Sequence, residues 1–192
     1  MNKTRLEAFS DAVIAIIMTI MVLELKIPHG VDLNALRPLL PAFLAYVLSF
    51  VYLGIYWNNH HHMLQATKLV SGKILWANMN LLFWLSLVPF ATGWMGENHF
   101  APLPTAIYGF FLLMAAVSYA ILQSAIVRHH KGENELLARA VGNDFKGKFS
   151  LVCYVVAVGM AFVQENVSHI LYVIVALMWI IPDRRIEKTI AD

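Results

Sequence analysis

The stretch that decides the fold is Arg5-Leu-Glu-Ala-Phe-Ser-Asp11, which runs without a break into the apolar residues Ala12-Val-Ile-Ala-Ile-Ile-Met-Thr-Ile-Met-Val-Leu23. It places an arginine, a hydroxyl and a carboxylate at the mouth of a hydrophobic helix. Ionisable groups at membrane depth are costly, and they persist mainly where they have partners or line a path for ions. Both the fold and the function are therefore expected to depend on this first helix.

The rest of the chain is equally apolar. With 59% hydrophobic residues, 14% charged residues and a mean hydropathy of +0.65, it is too apolar for a soluble domain of 192 residues. A helix of about 20 apolar residues crosses a hydrocarbon core of about 30 Å. Six blocks approach that length, at residues 8–27, 40–57, 74–93, 104–127, 149–163 and 168–182. The sequence predicts an all-α membrane protein with six transmembrane helices, in which the two short last blocks form an antiparallel hairpin.

The distribution of positive charge predicts the orientation. Lys and Arg are enriched on the cytoplasmic side of membrane proteins. With the N-terminus inside and six spans, the inner side receives twelve of the fourteen basic residues: Lys3, Arg5, Lys68, Lys73, Arg128, Lys131, Arg139, Lys146, Lys148, Arg184, Arg185 and Lys188. Only Lys26 and Arg37 fall outside, so both termini are predicted to be cytoplasmic. The Phe-Ser-Asp segment has no second copy, and residues 1–192 are interpreted as one domain.

Helix one carries an apolar stripe with spacings of three and four residues. The stripe consists of Phe9, Val13, Ile16, Ile20, Leu23 and Ile27. Thr19 lies at its edge, where its hydroxyl is expected to bond to the carbonyl of Ala15. Plain packing is the alternative reading of the stripe, because almost every residue from 12 to 23 is apolar.

The polar end of helix one needs partners from other helices. Arg5 and Asp11 are six residues apart, which is about 240° around a helix, so they cannot pair along one face. The predicted inner ends of helices two and three supply candidate partners: Trp57, Asn58, Asn59, His60, His61, His62, Trp76, Asn78 and Asn80. We predict a buried polar network there that also includes Ser10, or in which Ser10 bonds to the first turn. The alternative is that such a network only stabilises the fold.

The histidine cluster does not predict a metal site. Consecutive residues point about 100° apart on a helix, so His60, His61 and His62 cannot all bind one ion from a regular backbone. Zinc sites prefer spacings such as i and i+4. No nucleophile with an adjacent base, phosphate-binding loop or pair of catalytic carboxylates is visible. We therefore expect no metal, no cofactor and no enzyme activity, and the net charge of +2 needs no nucleic-acid partner.

The segment Arg5-x-x-x-Phe9-Ser10-Asp11, placed at the start of the first span, resembles the signature of the transmembrane protein 175 family, potassium channels found in lysosomes and in bacteria. Two further segments are similar to the same pattern, namely Trp57…His60-His61 and Asn80…Pro89-Phe90. The resemblance covers nearly the whole chain. Animal members carry two six-helix units per chain, whereas this sequence has one, like the bacterial members.

The resemblance implies a passive, potassium-preferring channel in the plasma membrane, built as a homotetramer around four copies of helix one. By offset from Asp11, the constriction would consist of Ile16, Thr19, Ile20 and Leu23. No Thr-Val-Gly-Tyr-Gly filter of the ordinary potassium-channel type is present. Two questions stay open here: whether Thr19 or Ile20 dominates the constriction, and whether Glu24 or Lys26 faces the outer mouth.

Two other functions fit the residues. A proton-coupled secondary transporter would use Asp11 and the cluster from His60 to His62 as a proton relay, although such folds usually show internal repeats and interrupted helices near mid-membrane. A non-conducting membrane scaffold would keep the polar network yet tolerate polar substitutions at Ile16 and Leu23. Histidines near the inner mouth also suggest pH sensitivity, since imidazole titrates near neutrality.

Overall fold

The computed structural model describes residues 2–65, 67, 69–129 and 144–180, and all the regular secondary structure in these ranges is helical. The elements are α1 (Lys3–Leu23), a 3-10 helix (Leu33–Leu39) that continues into α2 (Leu40–Gln65), α3 (Gly72–Ser86), α4 (Val88–Glu97), α5 (Pro102–His129), α6 (Phe145–Met160) and α7 (Glu165–Ile180). The prediction of an all-helical membrane protein is confirmed for these residues.

Four stretches are long and apolar enough to cross a membrane: Lys3–Leu23, Leu33–Gln65, Gly72–Glu97 and Pro102–His129. They correspond to the first four predicted blocks, and all but the first extend beyond the block at both ends. The α6 and α7 helices have 16 residues each and correspond to the two short blocks. Part of the last predicted block, residues 181–182, lies outside the described residues. So do six basic residues on which the predicted orientation depends, Lys68, Lys131, Arg139, Arg184, Arg185 and Lys188.

The α6 and α7 helices form the expected antiparallel hairpin. Near the turn between them, the Ser168 hydroxyl donates to the Ala157 carbonyl at 2.6 Å. At the far end, the Trp179 indole N–H donates to the Ser150 hydroxyl at 2.9 Å. The two helices run in opposite directions, and these two bonds, one near each end, fix the register of the pair. The hairpin packs through α6 against α5 and through α7 against α2 and α5.

The third span is broken in its middle. Helix α3 ends at Ser86, and α4 begins at Val88 with Pro89 in its first turn. Proline has no N–H to donate, so it is tolerated at a helix start but interrupts a continuing helix. The sequence predicted one block over residues 74–93, and the structure divides it at this proline. At the end of α4, Gly96 lies so close to α2 that an added Cβ would come 2.6 Å from the Ala42 Cα.

Hydroxyl groups link several helices of the bundle. The Ser49 hydroxyl on α2 lies 2.7 Å from the Thr92 hydroxyl on α4 and 3.0 Å from the Tyr108 hydroxyl on α5. The Tyr52 hydroxyl donates to the Tyr172 carbonyl at 2.6 Å. Such bonds link helices in a medium where apolar burial gives little preference between protein and lipid. The bundle therefore forms a rigid support beside α1, which packs against α2, α3 and α4.

Candidate functional site on helix α1

Helix α1 has one buried face and one exposed face. The buried face contains Leu6, Ser10, Ile14, Ile17 and Met21. The four predicted constriction residues lie on the opposite face: Ile16 is 56% exposed, Ile20 41% and Leu23 80%, and Thr19 is exposed as well. Phe9 shares this face. In a single subunit these side chains are therefore free to contact lipid, water or another copy of the chain.

Thr19 bonds within its own helix, but not to the predicted carbonyl. Its hydroxyl donates to the Ile16 carbonyl at 2.9 Å, three residues back, whereas the sequence predicted the Ala15 carbonyl. Threonine has two favoured χ1 rotamers in a helix, which reach the carbonyls three or four residues earlier. Because the proton is used inside the helix, the lone pairs of the hydroxyl oxygen remain as acceptors on the exposed face.

The N-terminal end of α1 is held by hydrogen bonds from two other helices. On α2, the Trp57 indole N–H donates to the Asp11 carboxylate at 3.0 Å. On α3, the Asn78 amide N–H donates to the Ser10 hydroxyl at 2.9 Å, and Ser10 in turn donates to the Leu6 carbonyl at 2.8 Å. Ser10 thus does both things that the sequence predicted as alternatives.

His60 completes the network. Its Nε2 lies 2.6 Å from the Asn78 carbonyl oxygen, and both side chains are buried. Since the Asn78 amide nitrogen donates to Ser10, its oxygen is the acceptor, and His60 must carry a proton on Nε2. The opposite ring nitrogen, Nδ1, is buried without a hydrogen-bond partner among the described residues. A buried polar atom of this kind carries a desolvation cost that the surrounding packing offsets.

Other predicted members of the network lie elsewhere. Arg5 is exposed, and no ion pair joins it to Asp11 in the described part of the chain. His61 bonds to Gln65 at 2.8 Å and stacks on Trp57, and the ring of His62 packs against His61. Asn58 is half-buried on α2. These residues lie near the network but make no hydrogen bond to Ser10, Asp11 or Asn78 among the residues that the structure describes.

Asn80 bonds to a different helix from the one predicted. Its amide N–H donates to the Ser118 hydroxyl on α5 at 2.7 Å, so Asn80 ties α3 to α5. Asn78 occupies the place that the sequence assigned to Asn80. Residues two apart on a helix point about 200° apart, so only one of the two asparagines can face α1. The spacing of Asn78 and Asn80 in the sequence already indicated that they face different helices.

Two charged residues follow the C-terminal end of α1. The Lys26 ammonium pairs with the Glu97 carboxylate at the end of α4, with an N–O distance of 2.8 Å. Glu24 and Glu97 both line an open groove of about 750 Å³ between α1 and α4, together with Ile16, Ile20 and Trp94. The exposed isoleucines and acidic side chains therefore share one surface.

These features define a polytopic helical membrane protein whose N-terminal helix is braced at its polar end and leaves an aliphatic face uncovered. Residues 5–89 match the sequence model of the endosomal/lysosomal potassium channel TMEM175, and the chain belongs to the TMEM175 family. It is 53% identical over 192 residues to a potassium channel from Chryseobacterium sp. (strain P1-3), covering all of both chains.

Two further matches share less sequence with this chain. The crystal structure of a lysosomal potassium-selective channel TMEM175 homolog from Chamaesiphon minutus aligns with a TM-score of 0.81 and 25% identity, covering 94% of this chain and 97% of that one. The endosomal/lysosomal proton channel TMEM175 of Gallus gallus is 37% identical over 86 residues, which cover 36% of this chain and 17% of that protein. The resemblance carried by the Phe-Ser-Asp signature is confirmed, and so is the expectation of a channel family instead of an enzyme.

Proposed function

We propose that this chain forms a homotetrameric, potassium-preferring channel in the plasma membrane, with both termini in the cytoplasm. Four copies of α1 would line a pore through which potassium moves passively. The single observation that carries the proposal is the exposed aliphatic face of α1, on which Ile16, Ile20 and Leu23 stand opposite a fully packed face. The family membership and the bacterial relative named as a potassium channel support the choice of ion.

The shape of the exposed face supports packing of α1 around an axis. Ala8, Ala12 and Ala15 are exposed along one flank of the face, beside the isoleucines. Small residues allow two membrane helices to approach closely. If neighbouring copies of α1 meet along the alanine flank, Ile16 and Ile20 turn toward the axis.

The proposed constriction is made of side chains. A ring of isoleucines narrows the pore and excludes water, which closes it to ions until the ring widens. The Thr19 oxygens lie beside the ring with free lone pairs, and four of them would replace part of the hydration shell of an ion. Because such a pore offers few oxygens, we infer a moderate preference for potassium over sodium.

The polar network would keep α1 in position during conduction. Bonds from Trp57 to Asp11 and from Asn78 to Ser10 attach the inner end of α1 to the scaffold, while Lys26 and Glu97 attach its outer end to α4. The isoleucines lie between these two attachments. Any change in the width of the constriction would therefore require bending or rotation of α1 between its fixed ends.

The test is ion flux from liposomes that contain the purified protein and a potassium gradient. We expect potassium flux to exceed sodium flux, and Ile16→Asn to raise the flux or reduce its selectivity because a polar side chain wets the constriction. Ile170→Asn on α7 is the matched control, because Ile170 is 58% exposed and lies outside the proposed pore. No flux from an intact tetramer would contradict the proposal.

The same liposomes distinguish the transporter alternative and test protons as a second permeant ion. A channel passes current that reverses at the equilibrium potential of its ion, whereas a proton-coupled transporter reverses at a potential set by both gradients. The name of the chicken relative makes proton flux worth measuring with a pH-sensitive dye. In the structure Asp11 and His60 are each bonded to a neutral partner, and no direct bond links them into a relay.

A further inference from the structure

A second cavity lies away from α1, among α2, α5, α6 and α7. It has a volume of about 210 Å³, and its walls are mainly apolar and aromatic. Two of its aromatic walls, Tyr56 and Tyr119, meet edge to face with ring centroids 6.2 Å apart. Small residues, Ala116 and Ala120, leave the space open on the α5 side. An apolar cavity of about 150 Å³ holds a benzene molecule, so this one holds a phenyl ring with a short alkyl arm.

A carboxylate is among the groups that line this cavity. Asp144 precedes α6, and its Oδ1 accepts from the Gly147 backbone N–H at 2.8 Å, so the side chain caps the helix and is fixed in place. The carboxylate folds back over Gly147, where any side chain would collide with it. Lys148 is one turn further along and exposed, yet no ion pair joins Asp144 to a basic side chain within the described ranges. One carboxylate oxygen therefore remains available to a ligand.

The aromatic wall of the same cavity favours positive charge. Trp179 lines the cavity, and the Lys146 ammonium already lies 5.8 Å from the centroid of its ring. Cations are attracted to the faces of aromatic rings, and the attraction grows as water is removed. Binding pockets for small molecules usually combine such apolar walls with a few fixed polar groups that orient the ligand.

We propose that this cavity is a binding site for protonated aralkyl amines, small molecules with an aromatic body and a primary ammonium group. The aromatic body would pack beside the rings of Tyr56 and Tyr119, and the ammonium would bond to the free oxygen of Asp144. Lys148 also lines the cavity, and because its side chain is exposed, solvent screens its repulsion of the ligand's charge. The site is separate from the proposed pore and does not depend on it.

The experiment uses three probes that differ in one group: 3-phenylpropylamine, 3-phenylpropanol and 3-phenylpropanoate. Each is titrated into the purified full chain in lipid nanodiscs, and the rise in Tm gives the affinity, because a ligand that binds only the folded state raises its stability. We expect the amine to bind about tenfold more tightly than the alcohol, as for one charge-assisted hydrogen bond, and the carboxylate to bind least.

Two variants assign the effect to this cavity. Asp144→Asn keeps a good capping residue but removes the charge, so the advantage of the amine over the alcohol should disappear while the protein stays folded. Ala120→Phe fills the cavity and should abolish binding of the amine and the alcohol. Asp32→Asn is the matched control, because Asp32 also caps a helix, through Ala35, but lies far along the chain in an exposed loop.

Three results would overturn the proposal. Equal binding of the amine and the alcohol would show a neutral apolar site, such as one that holds a lipid chain. If the amine still binds more tightly than the alcohol in Asp144→Asn, the ammonium binds to a group other than Asp144. No stabilisation by any probe would show that the cavity does not bind these ligands.

Discussion

Lys26 and Glu97 form an exposed ion pair, and an isolated pair of this kind contributes only about 0–1 kcal/mol to stability. Its larger effect is expected on the field at the outer mouth. Pairing cancels the positive charge of Lys26, so the unpaired Glu24 dominates the potential that an approaching cation meets. Glu97, which holds Lys26, lines the same groove as Glu24, so the question of which charge faces the axis stays open.

A double-mutant cycle tests this at the residue scale. Glu97→Gln frees Lys26 and is expected to lower potassium flux at low ionic strength, because the ammonium now repels cations. Adding Lys26→Gln to Glu97→Gln should restore the flux, and Lys26→Gln alone should raise it, because the Glu97 carboxylate on the groove is then no longer neutralised. At 1 M salt the differences should vanish, because the screening length falls to about 3 Å. Equal loss of flux in all three variants would point to a structural role of the pair.

The individual residues of the network were only partly predictable. The sequence placed Ser10, Asp11 and His60 at one membrane level, and the structure joins all three to partners on other helices. It did not separate Asn78 from Asn80, because the rotation of α3 about its axis is set by packing against α5. Nor did the sequence predict that Arg5 would be exposed. A long side chain at a helix end reaches water easily, which explains its exposure.

Among the helices, hydropathy and backbone hydrogen bonding place the end of α2 at different residues. The second predicted block ended at residue 57, where the apolar residues stop, but α2 continues to Gln65. Its last two turns carry His60, which bonds to Asn78 on α3, and Gln65, whose backbone carbonyl accepts from Lys3 on α1. Apolar length measures the part of a helix that lies in lipid, whereas the helix itself ends where its backbone bonds end. The functional side chains therefore lie in the segment that hydropathy leaves out.

The flank of α1 gives a prediction at this scale. Ala12→Leu enlarges the exposed small-residue flank, where neighbouring copies of α1 are proposed to meet. We expect the tetramer to dissociate or to form in lower yield, measured by the mass of the protein–detergent complex. Val173→Leu on α7 is the matched control, because Val173 is similarly exposed on a helix outside the proposed contact. An unchanged tetramer in Ala12→Leu would place the contact on another face.

At the scale of the whole molecule, the polar groups of the site lie at two levels. Trp57, Asp11 and His60 lie at one end of α1, and Lys26 and Glu97 lie at the other. The exposed isoleucines fall between them, at the depth where a membrane is most apolar. This order follows from the sequence of α1 alone. The position of the other helices around it depends on long-range packing that no local pattern contains.

The orientation of the molecule can be tested directly, because Cys153 is the one cysteine in the sequence and is buried. In a Cys153→Ala background, Asp32→Cys and Lys73→Cys introduce exposed thiols in the loop after α1 and at the start of α3. With twelve of fourteen basic residues inside, Asp32→Cys is expected to react in intact cells with a maleimide that cannot cross the membrane. Lys73→Cys should react only after the cells are opened. The reverse pattern would place the network of α1 on the outer side and would assign the proposed inner mouth to the wrong end of the pore.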